Sequence, residues 1–156
     1  MRLTGSESIS ATKRPAKSAH ARRYRTFEHT ADCGIWAYGT TLNQAFENAA
    51  YGLFSIITDL LQVKEEDTRS FEFNETGYEE LLYAWLNELI FLFDTRSFIC
   101  KRAEIIRLDN GHLKAICYGE SYDPSRHHLK CAVKAATYNL MEVDTEKNRI
   151  RVVFDL

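Results

Sequence analysis

The chain has 156 residues, of which 45% are hydrophobic and 12% aromatic, enough apolar material for the core of one domain. Residues 1–23 carry six basic side chains and one acidic side chain, so the formal net charge of −2 divides into +5 for this segment and −7 for residues 24–156. An acidic body repels phosphates, which disfavours a broad nucleic-acid-binding surface, and no apolar run approaches the roughly 18 residues of a membrane span. We therefore expect a soluble cytoplasmic protein with no membrane partner.

The first 23 residues are predicted to be a disordered basic tail, because Ser, Ala, Lys and Arg predominate and large apolar side chains are almost absent. The composition also has a weak likeness to a transit peptide or a basic import signal, which leaves a nuclear location open. A single folded domain is expected over residues 24–156. The four cysteines form no CxxC or CxxH pair, so we expect reduced thiols and no zinc site.

The first half of the domain predicts a strand followed by a helix. Apolar residues at 35–38, closed by Gly39, indicate a short strand. Thr41 and Gln44 have the spacing of a capping box, and apolar residues then recur at helical spacing. This helix is expected to end near Thr58 or Asp59.

A second strand and helix follow. Phe71 and Phe73 alternate within a predicted strand over 68–73. A second capping box, Thr76 with Glu79, predicts the start of another helix. A wide apolar stripe on this helix is expected to pack against a sheet; it comprises Tyr78, Leu81, Leu82, Trp85, Leu86, Leu89, Leu92 and Phe93.

The remainder of the chain predicts strands. Asn110-Gly111 indicates a two-residue hairpin turn with positive φ at both positions. Residues 129–135 alternate as a half-buried strand would, and 141–143 are expected to pair with a last strand over 149–155. The order predicts an α+β fold in which two helices cover an antiparallel or mixed sheet.

The segment Glu28-His29-Thr30-Ala31-Asp32 is the first candidate site. It places two carboxylates and an imidazole just before a predicted strand, and carboxylate oxygens suit hard cations such as Ca²⁺, Mg²⁺ or Mn²⁺. Composition alone favours a solvated turn over a site. Asp155 beside the terminal carboxylate of Leu156 is the second candidate, but 123 residues separate it from Asp32.

Lys134 and Tyr138 form a third candidate. Lys134 alternates away from the apolar residues around it, where it could contact a phosphate or an acidic partner, although a solvated lysine is the common case. His127 and His128 follow a proline turn and are expected in a surface loop. Their adjacency is a poor spacing for a metal, because neighbours on an extended chain face opposite sides.

Taken together, these segments resemble the archease family, in order and without large gaps, from residue 24 to residue 156. The resemblance rests on EHTAD at 28–32, GI at 34–35, YG at 38–39, TL at 41–42, AFE at 45–47, TD at 58–59, ELLY at 80–83, WLNEL at 85–89, FD at 93–94, YGE at 118–120, VKA at 133–135, TY at 137–138 and DL at 155–156. Cys33 replaces a usual aliphatic residue, and Asn139 stands where many members have His.

The resemblance implies a fold of two strand–helix–strand–strand modules, one inserted in the other. It implies a partner too, the RtcB-type RNA ligase, which uses GTP and Mn²⁺ in tRNA splicing and, in animals, in a stress-response mRNA splicing step. Archeases promote guanylylation of that ligase and its multiple turnover, so tRNA and GTP would be met only through the ligase. The metal-binding positions of the family match Asp32, Asp155 and Leu156, its functional lysine matches Lys134, and His29 is expected to shape the site.

Two other functions remain open from the residues alone. A stand-alone metal-dependent hydrolase could use Asp32 and Asp155 to activate water, with His29 as the general base. A general chaperone or scaffold would need only the acidic body and the apolar helix stripes. The resemblance instead implies a protein without catalysis of its own.

Overall fold

A computed structural model describes residues 23–29 and 31–156. Residues 1–22 of the predicted tail lie outside the described residues, whereas Arg23 is bound to the domain, since its carbonyl oxygen accepts from Tyr38 N–H at 3.0 Å. In chain order the elements are β1 (Tyr24–His29), β2 (Asp32–Tyr38), α1 (Leu42–Ile57), a 3₁₀ turn (Leu60–Gln62), β3 (Asp67–Asn74), α2 (Tyr78–Arg96), β4 (Phe98–Asp109), β5 (His112–Ser121), β6 (Ala135–Asp144) and β7 (Arg149–Asp155). No helix in the described part is long and apolar enough to cross a bilayer.

The strands form two antiparallel sheets, with orders β1-β2-β7-β6 and β3-β5-β4. The unit β3-α2-β4-β5 is inserted between α1 and β6, so one strand–helix–strand–strand module lies inside another. This confirms the predicted α+β class and the nested arrangement. The single antiparallel or mixed sheet expected from the pattern is in fact two separate antiparallel sheets.

Both helices contact strands of both sheets, which explains why their apolar faces are wide. Helix α1 packs against β2 and β4, and α2 packs against β6 and β4. The core they enclose contains Trp85, Phe46, Phe54 and Phe154, each fully buried. Burial of this apolar surface, at about 25 cal/mol per Å², is the main force that holds the two modules together.

The start of α1 agrees with its capping-box signal, and the start of α2 does not. Thr41 Oγ1 accepts a hydrogen bond from Gln44 N–H at 3.1 Å, while Gln44 Oε1 accepts one from Thr40 N–H at 2.7 Å. The predicted box of Thr76 with Glu79 is wrong, because the N-cap of α2 is Gly77, which has no side chain to cap with. Two acidic residues in the first turn of α2 complement its dipole instead.

The hairpin lies where Asn110-Gly111 predicts it, but its turn is of another type. The two residues join β4 to β5, and neither has a positive φ. The Gly111 N–H donates to Asp109 Oδ1 at 3.2 Å, so the aspartate side chain organises the turn.

The strand predicted over 129–135 is wrong. β6 begins only at Ala135, and before it the chain makes one isolated bridge, between Thr58 and Leu129. Leu129 is exposed and Val133 is buried, so the alternation marks an extended segment along the surface of the core. The predicted pairing of residues 141–143 with β7 is confirmed for 142 and 143, and Asp144 pairs as well.

Candidate functional site

Strand pairing brings the predicted site residues to one end of the β1-β2-β7-β6 sheet. His29 ends β1 and lies opposite Asp32, which begins β2. Cys33 pairs with Phe154 in β7, so the register carried one position further places Asp32 beside Asp155. The 123 residues that separate the two aspartates in sequence are therefore bridged by one antiparallel ladder.

The three side chains also share a face. Ile35, Val152 and Phe154 point into the core and are fully buried. Residues alternate along a strand, and directly opposed residues point the same way. Asp32 and Asp155 therefore face outwards, and His29, paired with Asp32, faces outwards with them.

Lys134 joins this end of the sheet through its main chain. Its N–H donates to the carbonyl oxygen of Asp155 at 2.8 Å, one residue before Ala135 pairs with Asp155. The Lys134 side chain is exposed, as its alternation predicts. Leu156 follows directly and is 37% exposed.

The donor types fit a hard cation, although the side chains alone do not complete a site. Within residues 23–29 and 31–156, no three His, Cys, Asp or Glu side chains come together at metal-holding distances. The Nδ1 atom of His29 is buried without a hydrogen-bond partner among the described residues. This atom lies on the strand next to Asp32, and an unpaired buried polar atom can accept a further ligand. Main-chain oxygens of Leu156 would supply the remaining donors that Ca²⁺, Mg²⁺ or Mn²⁺ needs.

A thiolate is disfavoured as a ligand at this end of the sheet. Burial raises the pKa of the Cys33 thiol, and the neighbouring Cys131 and Glu28 raise it further. A protonated thiol is a poor metal ligand. The candidate ligands at this end of the sheet are therefore oxygen donors, with an imidazole at their side.

Asn87 is a structural support of the site that the sequence did not reveal. Its Oδ1 accepts from Ala136 N–H at 2.9 Å and its Nδ2 donates to Ala136 O at 3.1 Å. A helix side chain thus pairs with the edge of β6 as a strand would, two residues after Lys134. Only the tertiary structure shows this, because a lone Asn within a helical pattern carries no such signal.

A buried polar cluster corrects the prediction that both histidines lie on a surface loop. His128 is exposed, but His127 is only 4% exposed. Its Nδ1 accepts from Asp123 N–H at 2.8 Å, so Nε2 carries the proton and donates to Glu120 Oε2 at 2.9 Å. Arg126 bonds the other oxygen of Glu120 at 2.6 Å and closes the loop 122–127 on β5.

A cavity of about 780 Å³ lies at the other end of β2, at Tyr38 and Gly39. Its charged lining is mixed, with Arg23, Arg102, Glu47 and Glu104. Burial raises the pKa of Glu47, whose Oε2 accepts from Ile105 N–H at 2.8 Å. The charges of this cavity are balanced within the protein and indicate no particular ligand.

The chain is similar to known proteins of one family. The family model described as "Archease protein family (MTH1598/TM1083)" matches residues 24–156. A protein archease of Thermococcus gammatolerans is 40% identical over 126 residues, which cover 79% of this chain and 89% of that protein. One of Sulfurisphaera tokodaii is 35% identical over 134 residues, covering 85% of this chain and 96% of that protein.

Two solved structures share the fold. The solution structure of Methanobacterium thermoautotrophicum protein 1598 is 36% identical with a TM-score of 0.71, and the match covers 86% of this chain and 99% of that one. A Thermotoga maritima protein described as an archease and possible chaperone has a TM-score of 0.59 at 22% identity, with 85% and 96% covered. The second likeness concerns the fold alone.

Proposed function

The chain belongs to the archease family, and from that premise we propose that it activates an RtcB-type RNA ligase in tRNA splicing. The observation that carries the proposal is the meeting of His29, Asp32 and Asp155 on one outer face, with Lys134 tied to Asp155. These are the positions at which the resemblance implies a metal and a functional lysine.

The proposed metal ligands are Asp32, Asp155 and main-chain oxygens of Leu156, with His29 beside them. A divalent cation held there would supply positive charge at a surface that is otherwise acidic. The exposed Lys134 ammonium adds a second cation close by and can contact a phosphate or carboxylate of the ligase. Both groups lie at one end of the sheet, where a partner can reach them together.

Activation by contact is the role we propose for this surface. Guanylylation requires the triphosphate and the nucleophilic imidazole of the ligase to be held in one alignment, and correct alignment contributes a large part of such rate enhancements. A rigid sheet end that presses against the ligase can favour that alignment. In this proposal the chain does no catalysis of its own, and it meets GTP and tRNA only through the ligase. The proposed location is the cytoplasm, and the basic tail leaves a nuclear location open.

A ligation assay at limiting ligase tests the proposal. With the wild-type chain we expect a change from single to multiple turnover on RNA ends bearing a 3′-phosphate or 2′,3′-cyclic phosphate and a 5′-hydroxyl. Asp32→Ala and Asp155→Ala should each lower the stimulation at least tenfold while thermal unfolding stays close to wild type. Asp94→Ala is the matched control, because Asp94 is exposed at the end of α2. Normal stimulation by both site variants would refute the role of the aspartates.

Two further assays with the same variants separate the other functions. RNA or nucleotide hydrolysis by the chain alone with Mn²⁺, abolished in both aspartate variants, would favour the metal-dependent hydrolase. Equal benefit to unrelated client proteins, unchanged by the aspartate variants, would favour a general chaperone or scaffold.

A further inference from the structure

Two stacked tyrosines lie at the junction of α2 and β6. The rings of Tyr83 and Tyr138 are parallel to within 1° and their centroids are 4.1 Å apart. Tyr138 is 52% exposed on β6, an edge strand, whereas the large aromatic side chains of the core are fully buried. An exposed, flat aromatic surface of this kind suits binding.

Carboxylates border the stacked pair. Glu80 precedes Tyr83 by three residues on α2, so the two side chains lie on the same helix face. Burial is the main cause of a raised Tyr138 pKa, and the charges of Glu80, Tyr83 and Glu75 raise it further. The helical spacing places Glu80 beside the stacked pair, and both carboxylates contribute negative charge around the phenol.

Two other aromatic rings of the chain have both a carboxylate and an arginine beside them. The guanidinium of Arg102 lies 4.0 Å from the centroid of the Tyr118 ring and bonds Glu65 at 3.1 Å. Arg151 lies 5.0 Å from the ring of Trp36 and pairs with Glu142 at 3.3 Å. In each case a ring and a carboxylate bind the guanidinium together.

The stacked pair has the ring and the carboxylates but lacks the cation. Among residues 23–29 and 31–156, no arginine or lysine stacks on Tyr83 or Tyr138. We propose that Tyr138, Tyr83, Glu80 and Glu75 form a docking surface for an arginine-bearing segment of a partner protein. A guanidinium fits better than an ammonium because it stacks flat on the ring while donating to a carboxylate.

Nuclear magnetic resonance of the labelled chain with a hexa-arginine peptide tests the surface directly. The largest shifts are expected at Tyr83, Tyr138 and the first turn of α2. A hexa-lysine peptide should bind several-fold more weakly, and a hexa-glutamate peptide should cause no shift. Tyr138→Ala and Glu80→Lys should each weaken hexa-arginine binding about tenfold or more.

Matched variants separate a docking role from a structural one. Tyr138→Phe keeps the ring and should bind as wild type. Phe91→Ala removes another exposed aromatic from α2, and Glu146→Lys makes the same charge change in a distant loop, so neither should alter binding. Unchanged affinity in folded Tyr138→Ala and Glu80→Lys, or shifts centred on another acidic region, would overturn the proposal.

The ligase assay then asks whether this surface serves the proposed function. Glu80→Lys should raise the concentration that gives half-maximal stimulation and leave the maximal stimulation intact, whereas the Asp32 variant lowers the maximum. If the wild-type chain fails to stimulate the ligase, the proposed function is refuted, and the peptide experiment still decides the docking surface.

Discussion

Removal of the Asn87 amide should loosen β6 where the candidate site begins. Asn87 makes two hydrogen bonds to the main chain of Ala136 and donates a third to Tyr83 O at 3.0 Å. Asn87→Ala leaves the Ala136 N–H and C=O without these partners at a residue that is only 1% exposed. An unsatisfied buried group costs about 1–3 kcal/mol. We expect the free energy of unfolding to fall by about 3 kcal/mol.

Chemical denaturation measures the effect of Asn87→Ala on global stability, and amide hydrogen exchange measures its effect at Ala136. The midpoint of the urea transition should fall, and the Ala136 amide should exchange much faster than amides in β2 and β7. Asn43→Ala is the matched control, because Asn43 lies on α1 and its side chain makes no hydrogen bond with the described residues. An unchanged Ala136 exchange rate in Asn87→Ala would show that the Asn87 side chain does not hold this part of β6.

A substitution of almost equal size separates the two bonds to Ala136. In Asn87→Asp the carboxylate can still accept from the Ala136 N–H, but it faces the Ala136 carbonyl without a proton to donate. The pKa of this new carboxyl should be raised in the folded state, so the variant gains stability as the pH falls and loses it as the pH rises through that pKa. A variant that is equally stable at pH 4 and pH 7, relative to wild type, would show that the Nδ2 bond contributes nothing.

Two further changes test the support around the site. Hydrogen bonds, chiefly from Arg126 and also from Lys64 N–H and His127, hold the pKa of Glu120 at about 2, against an ordinary 4.5. This stabilisation is complete above about pH 4.5 and is lost as the pH falls towards 2, so acid unfolding should begin at higher pH in Glu120→Gln. The neutral-pH cost should be about 2 kcal/mol, after allowance for the exposed side of Arg126, and equal acid midpoints would contradict it. Gly34→Ala should cost about 1–3 kcal/mol in thermal unfolding, because the new Cβ would lie 2.2 Å from the Phe27 ring. Recovery in Gly34→Ala with Phe27→Leu would confirm that cause, and no recovery would exclude it.

The helices and the hairpin position could be predicted because periodicity and turn residues are local signals. Helix α1 follows its apolar repeat to within one or two residues, and Asn110-Gly111 marks the β4–β5 connection. The strand β1 was not predicted, because its residues show little alternation and it is held by pairing with β2. The strand predicted over 129–135 failed for the converse reason, since alternation there reflects packing on the core without a neighbouring strand.

Burial of His127 could not be predicted from its position after a proline turn. A histidine enters a core only when both ring nitrogens find partners, and here those partners are Asp123 N–H and Glu120. The second of these lies seven residues away on β5, on the other side of the turn. The sequence around His127 is typical of a polar surface loop, whereas in the structure Arg126 and His127 of this loop both bond the Glu120 carboxylate.

The candidate site has the same character: its residue types were visible in the sequence, and their convergence was not. Strand register creates the convergence, and the same register packs the core, because a slip of one residue between β2 and β7 would turn Asp155 inwards and Phe154 outwards. The outer face beside the aspartates is itself partly apolar, with the Phe27 ring lying over Gly34 and Val153 only 1% exposed. The strand pairing that stabilises the fold therefore also brings Asp32 and Asp155 together and forms the surface around them.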